Sequence, residues 1–385
     1  MPALFVYSAI GAELRISNVD EFIQFKNKVN SGSTFSGYTV FLDSDLSLSG
    51  KTMTPIGNSS KYFRGIFDGQ GHVISNLKFS SSSFKHVGLF GFSNIITIKN
   101  IILDSSCSFT SSSRGNYQSV DSTRTNIFSY TGGILGYCYP NKGSCNIESS
   151  VNMASVSFCG TMETSGIYYS YTYLGGIAGS LDSPSYTTTV KNCANYGSVT
   201  FSGKSGDSNI GGITGISHGY SSSLKVSIYN CLNHGTITHS GTTTVSSHIG
   251  GISGYNQYST FDNCLSSGKI TASGSASERY TGSVLGQVAS GVSVTQCFWT
   301  SDVGYNSVSG GGSPSVSSSN QIQISATTVG NLNSRASSKG WNKWLLNTNS
   351  AAVTFKINNN KGFSVSKKAI LFPDLSPTGS NKFAG

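Results

Sequence analysis

Gly175-Gly176-Ile177-Ala178-Gly179, followed by Asn192-Cys193 and then Val199-Thr200, is a phrase that this chain repeats. Its first half returns at 132–136, 211–215 and 250–254, in worn form at Gly282-Ser283-Val284-Leu285-Gly286, and earlier as Gly88-Leu89-Phe90-Gly91. Its second half returns as Asn230-Cys231 before Ile237-Thr238, and as Asn263-Cys264 before Ile270-Thr271. A fixed phrase that recurs every few dozen residues marks a solenoid, in which each repeat buries its apolar face against its neighbours.

The register can be read from the residues. With Ile101, Ser150, Cys193, Cys231, Cys264 and Cys297 in one column, the position three before reads Ile98, Ile147, Val190, Ile228, Phe261 and Val294. The position one before reads Asn100, Ser149, Asn192, Asn230, Asn263 and Gln296. Four after stand Ser105, Ala154, Gly197, Gly235, Gly268 and Ser301, and six after Cys107, Val156, Val199, Ile237, Ile270 and Val303. Two inward positions three apart cannot share one flat strand, whose side chains alternate with period two. The chain must bend between them, with Asn at the corner. The Gly/Ala/Ser column marks a second spot where a side chain would crowd. Each repeat then supplies three short strands: the Gly-Gly-Ile phrase, the approach to Asn-Cys, and the Val/Ile-Thr segment. The expected fold is all-β, a right-handed three-sheet parallel β-helix of roughly seven to nine rungs. Early repeats are lengthened by insertions at 114–130 and 159–173, which should leave one corner of the solenoid as loops and build its binding face.

Composition agrees. Charged residues are 11% of the 385, and there are 46 glycines. Such a chain favours short strands and turns over helices. No apolar run approaches the roughly 20 residues that span a bilayer, so no transmembrane segment is expected. The net charge is +9, and residues 301–385 carry eight Lys/Arg against two Asp/Glu. The repeats are nearly neutral, and the basic C-terminal segment suits either an anionic partner or plain solvation. The sequence shows no clear nucleic-acid site and does not give the oligomeric state.

Outside the repeats, residues 1–12 read either as a very short secretory signal or as a buried first strand. Residues 13–86 form an N-terminal cap and first rungs. Within them 17–30 predicts a helix, capped by Ser17 or Asn18, with Val19, Phe22, Ile23 and Val29 on one face. The repeats occupy 87–306, and 307–328 reads as a Gly/Ser-rich loop. Residues 329–385 read as a C-terminal cap and basic tail, with Trp341, Trp344 and Leu345 covering the last rung.

The run from Val29-Asn30-Ser31-Gly32 through Leu42-Asp43-Ser44-Asp45-Leu46, Pro55-Ile56-Gly57 and Phe67-Asp68-Gly69 to Gly88-Leu89-Phe90-Gly91 resembles the opening of proteins built from GLUG-type repeats. The Gly-Gly-Ile-x-Gly and Asn-Cys phrases match that family's repeat, and the resemblance covers roughly residues 15–300. It implies a secreted or surface β-helix protein of bacteria or protists. It implies no single activity and no catalytic residues.

The cysteines divide by position. Cys193, Cys231, Cys264, Cys297 and Cys107 fall on inward columns and read as free, buried thiols. Cys138, Cys145 and Cys159 lie in the early insertions, where a Cys138–Cys145 disulfide suits a secreted protein. With no Cys-x-x-Cys pair and scattered histidines, neither a metal nor a cofactor is expected. Glycoside hydrolysis needs two carboxylates about 5–10 Å apart. Within the repeats only Glu148 and Asp262 share a column, with Lys191 and Tyr229 between them. No catalytic residues are assigned. Binding has more support: Tyr168, Tyr169, Tyr171 and Tyr173 crowd one insertion, and Tyr220, Tyr255 and Tyr258 follow later phrases. The expected function is adhesion or binding at a cell surface or outside the cell, to glycans or other proteins, through the early loops. The alternatives are a polysaccharide-active β-helix enzyme and a cytoplasmic scaffold.

Overall fold

A computed structural model describes residues 11–112, 116–121, 124–322 and 326–346, and the backbone of three further strands, Ala352–Ile357, Lys361–Ser366 and Leu371–Pro373. Residues 1–10, most of the stretch weighed as a signal, lie outside the described residues, as does most of the basic tail.

One turn of the coil shows the architecture. Tyr168–Gly175, Ala178–Ser183, Thr188–Lys191, Ala194–Asn195 and Val199–Phe201 follow one another, and Asp207–Gly211 then returns beside Tyr168–Gly175. Apart from Asn116–Asp121, which pairs antiparallel, each strand of the coil pairs in parallel with its counterpart one turn away, giving five long sheets of ten, eight, eight, seven and six strands. The three strands expected per repeat are therefore five. The Gly-Gly-Ile phrase is not a strand but the bend between two, and the Asn corner splits off a two-residue strand of its own. The insertions are only in part loops. Asn116–Asp121 and Arg124–Gly132 pair antiparallel, the latter strand runs parallel to Tyr168–Gly175, and 159–167 contains no strand. The stretch expected as a Gly/Ser loop adds Ser309–Gly311 and Ser315–Ser317 to two ladders.

The inward columns hold. Ile98, Ile147, Val190, Ile228, Phe261 and Val294 are successive partners in the ten-stranded ladder, and all are buried. Cys193, Cys231, Cys264 and Cys297 are buried and free, and burial pushes the Cys231 and Cys297 thiols well up. Cys107 is buried too, its thiol pushed up to about 12 by desolvation, but it is not the partner of Val156. Phe109 is. From Ile102 to Ser108 the chain takes six residues where Val151 to Ser155 takes four, because a turn in which Asp104 accepts from Ser106 N (2.9 Å) lengthens that corner.

The Asn corner is as the sequence requires. Asn100, Ser149, Asn192, Asn230, Asn263 and Gln296 have φ between 46° and 57°, the left-handed region that Asn tolerates best among residues with a side chain. Their amides also bond along the axis: Asn230 Nδ2 donates to Asn192 Oδ1 (2.8 Å) and Asn263 Nδ2 to Asn230 Oδ1 (2.7 Å). A second buried amide ladder, Asn152 to Asn195 to Asn233 at 2.9 Å each, braces the next bend.

The ends differ from expectation in one respect. At the N-terminal side α1 (Val19–Ser31) starts at Asn18, whose side chain accepts from Glu21 N, and stops at Gly32 in the left-handed region. It buries Phe22, Phe25 and Val29, with Phe25 against Phe63 and Phe67 of the first rungs. The C-terminal segment, expected as a lid on the last rung, instead runs back along the flank. Val329, Leu332 and Ala336 of α2 (Ala326–Lys339), with Trp344, cluster with Ile102, Val151, Ala194, Leu232, Leu265 and Phe298. That apolar stripe is the outer face of the two-residue strands, and without cover it would face water. Asn263 Nδ2 donates to Leu332 O (3.0 Å), Trp344 Nε1 to Asn230 Oδ1, and Asn342 N to Asn192 Oδ1 (3.2 Å).

Candidate functional site: an aromatic groove at the glycine corner

The second corner of each rung is the Gly-Gly bend, and it folds the other way. At Gly175 an added Cβ would sit 2.0 Å from Ala178 O, and at Gly212 one would sit 2.1 Å from Asn233 Cγ and 2.3 Å from Gly251 O. Only glycine lets the backbone close this tightly. The Ile of the phrase points into the core, as Ile134, Ile177, Ile213 and Ile252 are all buried. The outward side chains before and after the bend consequently lean toward each other. Tyr130 and Tyr137, on either side of the first full phrase, stack face to face with ring centroids 4.3 Å apart and planes 5° from parallel.

Stacking turns repeats that converge into a groove along the axis. On one wall, in register, stand His86, Tyr130, Tyr173, Asn209, His248 and Tyr280. On the other stand Phe92, Tyr137, Ser180, Ile216, Tyr255 and Gln287. Two residues further along that wall come Asp182, His218 and Gln257. The groove encloses about 630 Å³ between Phe92, Phe128, Tyr130, Tyr137, Tyr173, Asp182, His218, Tyr220 and Tyr255, among others. Rings run continuously along it: His86 to Tyr130 at 5.2 Å, Tyr130 to Tyr173 at 5.0 Å, Phe128 to Tyr171 at 5.3 Å.

Among the groove's lining residues the one carboxylate is Asp182, which is nearly enclosed. Tyr137 OH donates to its Oδ2 at 2.8 Å, and His218 Nδ1 lies 3.8 Å from its Oδ1. Burial raises the Asp182 carboxyl to about 7, opposed in part by hydrogen bonds from Tyr137 and Ser180. Burial also lowers His218, against a hydrogen bond with Gln257 that raises it, and so disfavours the charged form that an ion pair at 3.8 Å would need. His86 is pushed down to about 3 by burial and by Lys85. Tyr130, Tyr137 and Tyr173 are pushed well up, first by burial.

The four tyrosines expected as the site separate by strand alternation. Tyr173 lines the groove. Tyr171 is half-buried, next to Phe128, and its hydroxyl accepts from Arg124 Nη2 (2.9 Å). Tyr169 is 46% exposed beneath the Arg124 guanidinium, 4.6 Å from the ring centroid. Tyr168 is turned the opposite way and packs, half-buried, on the core. Of the later tyrosines, Tyr220 and Tyr255 join the groove and Tyr258 does not. Asp182 and His218 were missed, although the sequence signals them: they stand seven residues after Gly175 and Gly211, as Gln257 does after Gly250. The column of Glu148 and Asp262 offers no acid/base pair, because Lys191 holds Glu148 at 3.2 Å and Arg335 binds Asp262 through Nε at 2.9 Å. Cys138 and Cys145 are joined in a disulfide across the loop that carries Tyr139 to the groove. Among the described residues no group of three or more His, Cys, Asp or Glu is placed to hold a metal, and no helix is long and apolar enough to cross a membrane.

No protein-family model matches the chain, and no curated protein does. Among solved structures it is similar to a crystal structure of a Bacteroides ovatus protein assigned, provisionally, as an immunoglobulin A1 protease. The TM-score is 0.54 at 18% identity, over 87% of this chain and 90% of that one. At that identity the likeness establishes a shared fold and nothing of the chemistry.

Proposed function

We propose that this protein is a secreted or surface-bound β-helix, with the right-handed coil usual for parallel crossovers, that binds glycans in the groove at its glycine corner. The observation that carries the reading is the continuous platform of Tyr130, Tyr137 and Tyr173 with Asp182 and His218 beside it. Aromatic faces stack on the apolar faces of sugar rings, while a few fixed polar groups orient the hydroxyls. An extended groove suits a chain better than a single small molecule. The Cys138–Cys145 disulfide supports an oxidising compartment over the cytoplasmic alternative. The resemblance to GLUG-type repeat proteins points the same way. Hydrolysis by two carboxylates has weaker support, since only Asp182 lines the groove.

The test is a glycan array on the purified protein beside its Tyr130→Ala and Tyr173→Ser variants. The reading expects at least one glycan class to bind and both variants to lose about tenfold or more in affinity, with unchanged circular dichroism. Binding that survives both substitutions would place recognition elsewhere, the basic C-terminal segment first.

A further inference from the structure

The groove joins two features that point to a particular glycan chemistry. The first is a carboxylate without a cation. Asp182 is buried among Tyr130, Tyr137, Tyr173, Tyr220 and His218, and burial disfavours the charged form of each. Its hydrogen-bond partners are the neutral Tyr137 hydroxyl and Ser180, with His218 Nδ1 at 3.8 Å. Three other acids of the solenoid have cations against them, Asp68 with Lys99 at 3.1 Å, Glu148 with Lys191 at 3.2 Å and Asp262 with Arg335, whereas Asp207, raised to about 6 by burial, accepts from Ser246 N at 3.0 Å instead. A buried carboxylate is costly unless a charge or several hydrogen bonds compensate it, so a positive group in the groove would stabilise the ionised form of Asp182.

The second feature is that this aromatic surface already takes cations from its own chain. Lys85 Nζ lies 5.6 Å from the ring centroid of Phe128 and 5.7 Å from that of Tyr130, and the Arg124 guanidinium lies over Tyr169. These distances are within the range in which a ring face attracts a cation. Phe128, Tyr130 and Tyr173 all line the groove that holds Asp182. The platform therefore favours positive charge on its faces, and the wall beside it holds the one acid. No Lys or Arg is among the groove's lining residues, and Lys85 reaches it only over the Phe128 and Tyr130 rings.

We propose that the groove selects a glycan carrying a free, protonated amino group, with sugar rings stacked on Tyr130 and Tyr173 and the ammonium against the Asp182 carboxylate. This rests on the glycan reading above and names the substrate class of the same site.

The experiment titrates the full chain with a glucosamine oligomer and, separately, with the same oligomer fully N-acetylated, at neutral pH and low salt. The amine form is expected to bind at least tenfold more tightly, with a preference that shrinks as salt is added. Asp182→Asn should reduce that preference to about twofold or less, with the larger loss of affinity falling on the amine oligomer. A second measurement needs no variant: the NMR titration of the Asp182 carboxyl carbon should move to lower pH by at least one unit when the amine oligomer is bound. Equal affinity for the two oligomers, or a preference that survives Asp182→Asn, overturns the proposal and leaves the glycan reading standing. Binding of neither oligomer, together with an empty glycan array, removes both.

Discussion

The two kinds of corner in this solenoid are made from the same repeat and put to opposite uses. At the Asn corner the backbone is left-handed, the side-chain amides bond to one another along the axis, and the C-terminal segment lies on top. At the Gly corner the backbone bends inward, side chains are excluded from the bend, and the flanking rings converge on open solvent. One corner turns most of its amides to bonds within the fold, although Asn263 Oδ1 and Gln296 Oε1 are buried without a partner, and the other leaves a lined groove. A repeat can thus carry a structural seam and a recognition seam in parallel, distinguished only by which residue type makes the turn.

The largest effect should come from filling the glycine bend. Gly212→Ala places a Cβ against the Gly251 carbonyl and against Asn233, whose side chain cannot withdraw without opening the second amide ladder. A loss on the order of 3–5 kcal/mol in denaturant unfolding is expected. Gly330→Ala is the control, since nothing lies within 4 Å of its added Cβ in α2, and it should stabilise by about 0.5–1 kcal/mol. If Gly212→Ala cost less than about 1 kcal/mol, the tight bend would not be what shapes the groove.

Next comes the other corner. Asn230 donates to Asn192 Oδ1 and Asn342 O and accepts from Asn263 and Trp344, all while holding a φ of 52°. Asn230→Ala strands those partners and adds backbone strain, at a cost of about 2–4 kcal/mol. Asn230→Gly relieves only the strain and should recover about 1 kcal/mol of that. Both variants should speed proteolytic cleavage within 326–346, because the ladder is also the seat of that segment. Cleavage at the wild-type rate would mean that the apolar stripe alone holds it.

Much of this contrast was legible in the sequence, and the limits have physical causes. Columns such as Ile98 to Val294 could be read because core residues repeat in kind. The Asn corner was legible because few residue types accept a positive φ. The groove was less so: outward positions vary freely from rung to rung, so Tyr130, Asn209 and His248 share a column without sharing a chemistry. Taking the Gly phrase as a strand concealed that the residues on its two sides face one another. The C-terminal segment is aperiodic, and its docking site, the stripe from Ile102 to Phe298, becomes visible only when the position after the Cys column is read as outward.

A smaller effect should separate the corners by charge. The Asp182 carboxyl is raised from 3.8 to about 7 in the folded protein, so the folded state holds its proton more tightly than the unfolded chain. Stability from this group is therefore full at low pH, declines as pH rises through that window, and is lost above it. Asp182→Asn removes the penalty. The variant should match wild type near pH 3 and exceed it by on the order of 1–3 kcal/mol at pH 8. His86, His239 and His248, lowered to about 3, 4 and 4 by burial, tilt the absolute curve in the opposite sense but cancel in the difference between the two proteins. A difference that does not depend on pH would show Asp182 to be adequately partnered already.

The smallest effect tests where the groove ends. Tyr169 and Tyr173 lie four residues apart on one face of the same strand, so they differ in position along the wall and not in chemistry. Tyr173 is buried between Tyr130 and the groove, whereas Tyr169 is 46% exposed and touches Arg124. An exposed cation–π contact is worth about 0.5–1 kcal/mol at most, and substitutions at such surface sites usually change stability by less than about 0.5 kcal/mol. Tyr169→Ser should therefore leave unfolding nearly unchanged and shift glycan affinity by no more than about twofold, while Tyr173→Ser loses about tenfold. Comparable losses from the two would extend the recognition surface out of the glycine corner and onto the hairpin of the early rungs, where the insertion and not the bend would then define the site.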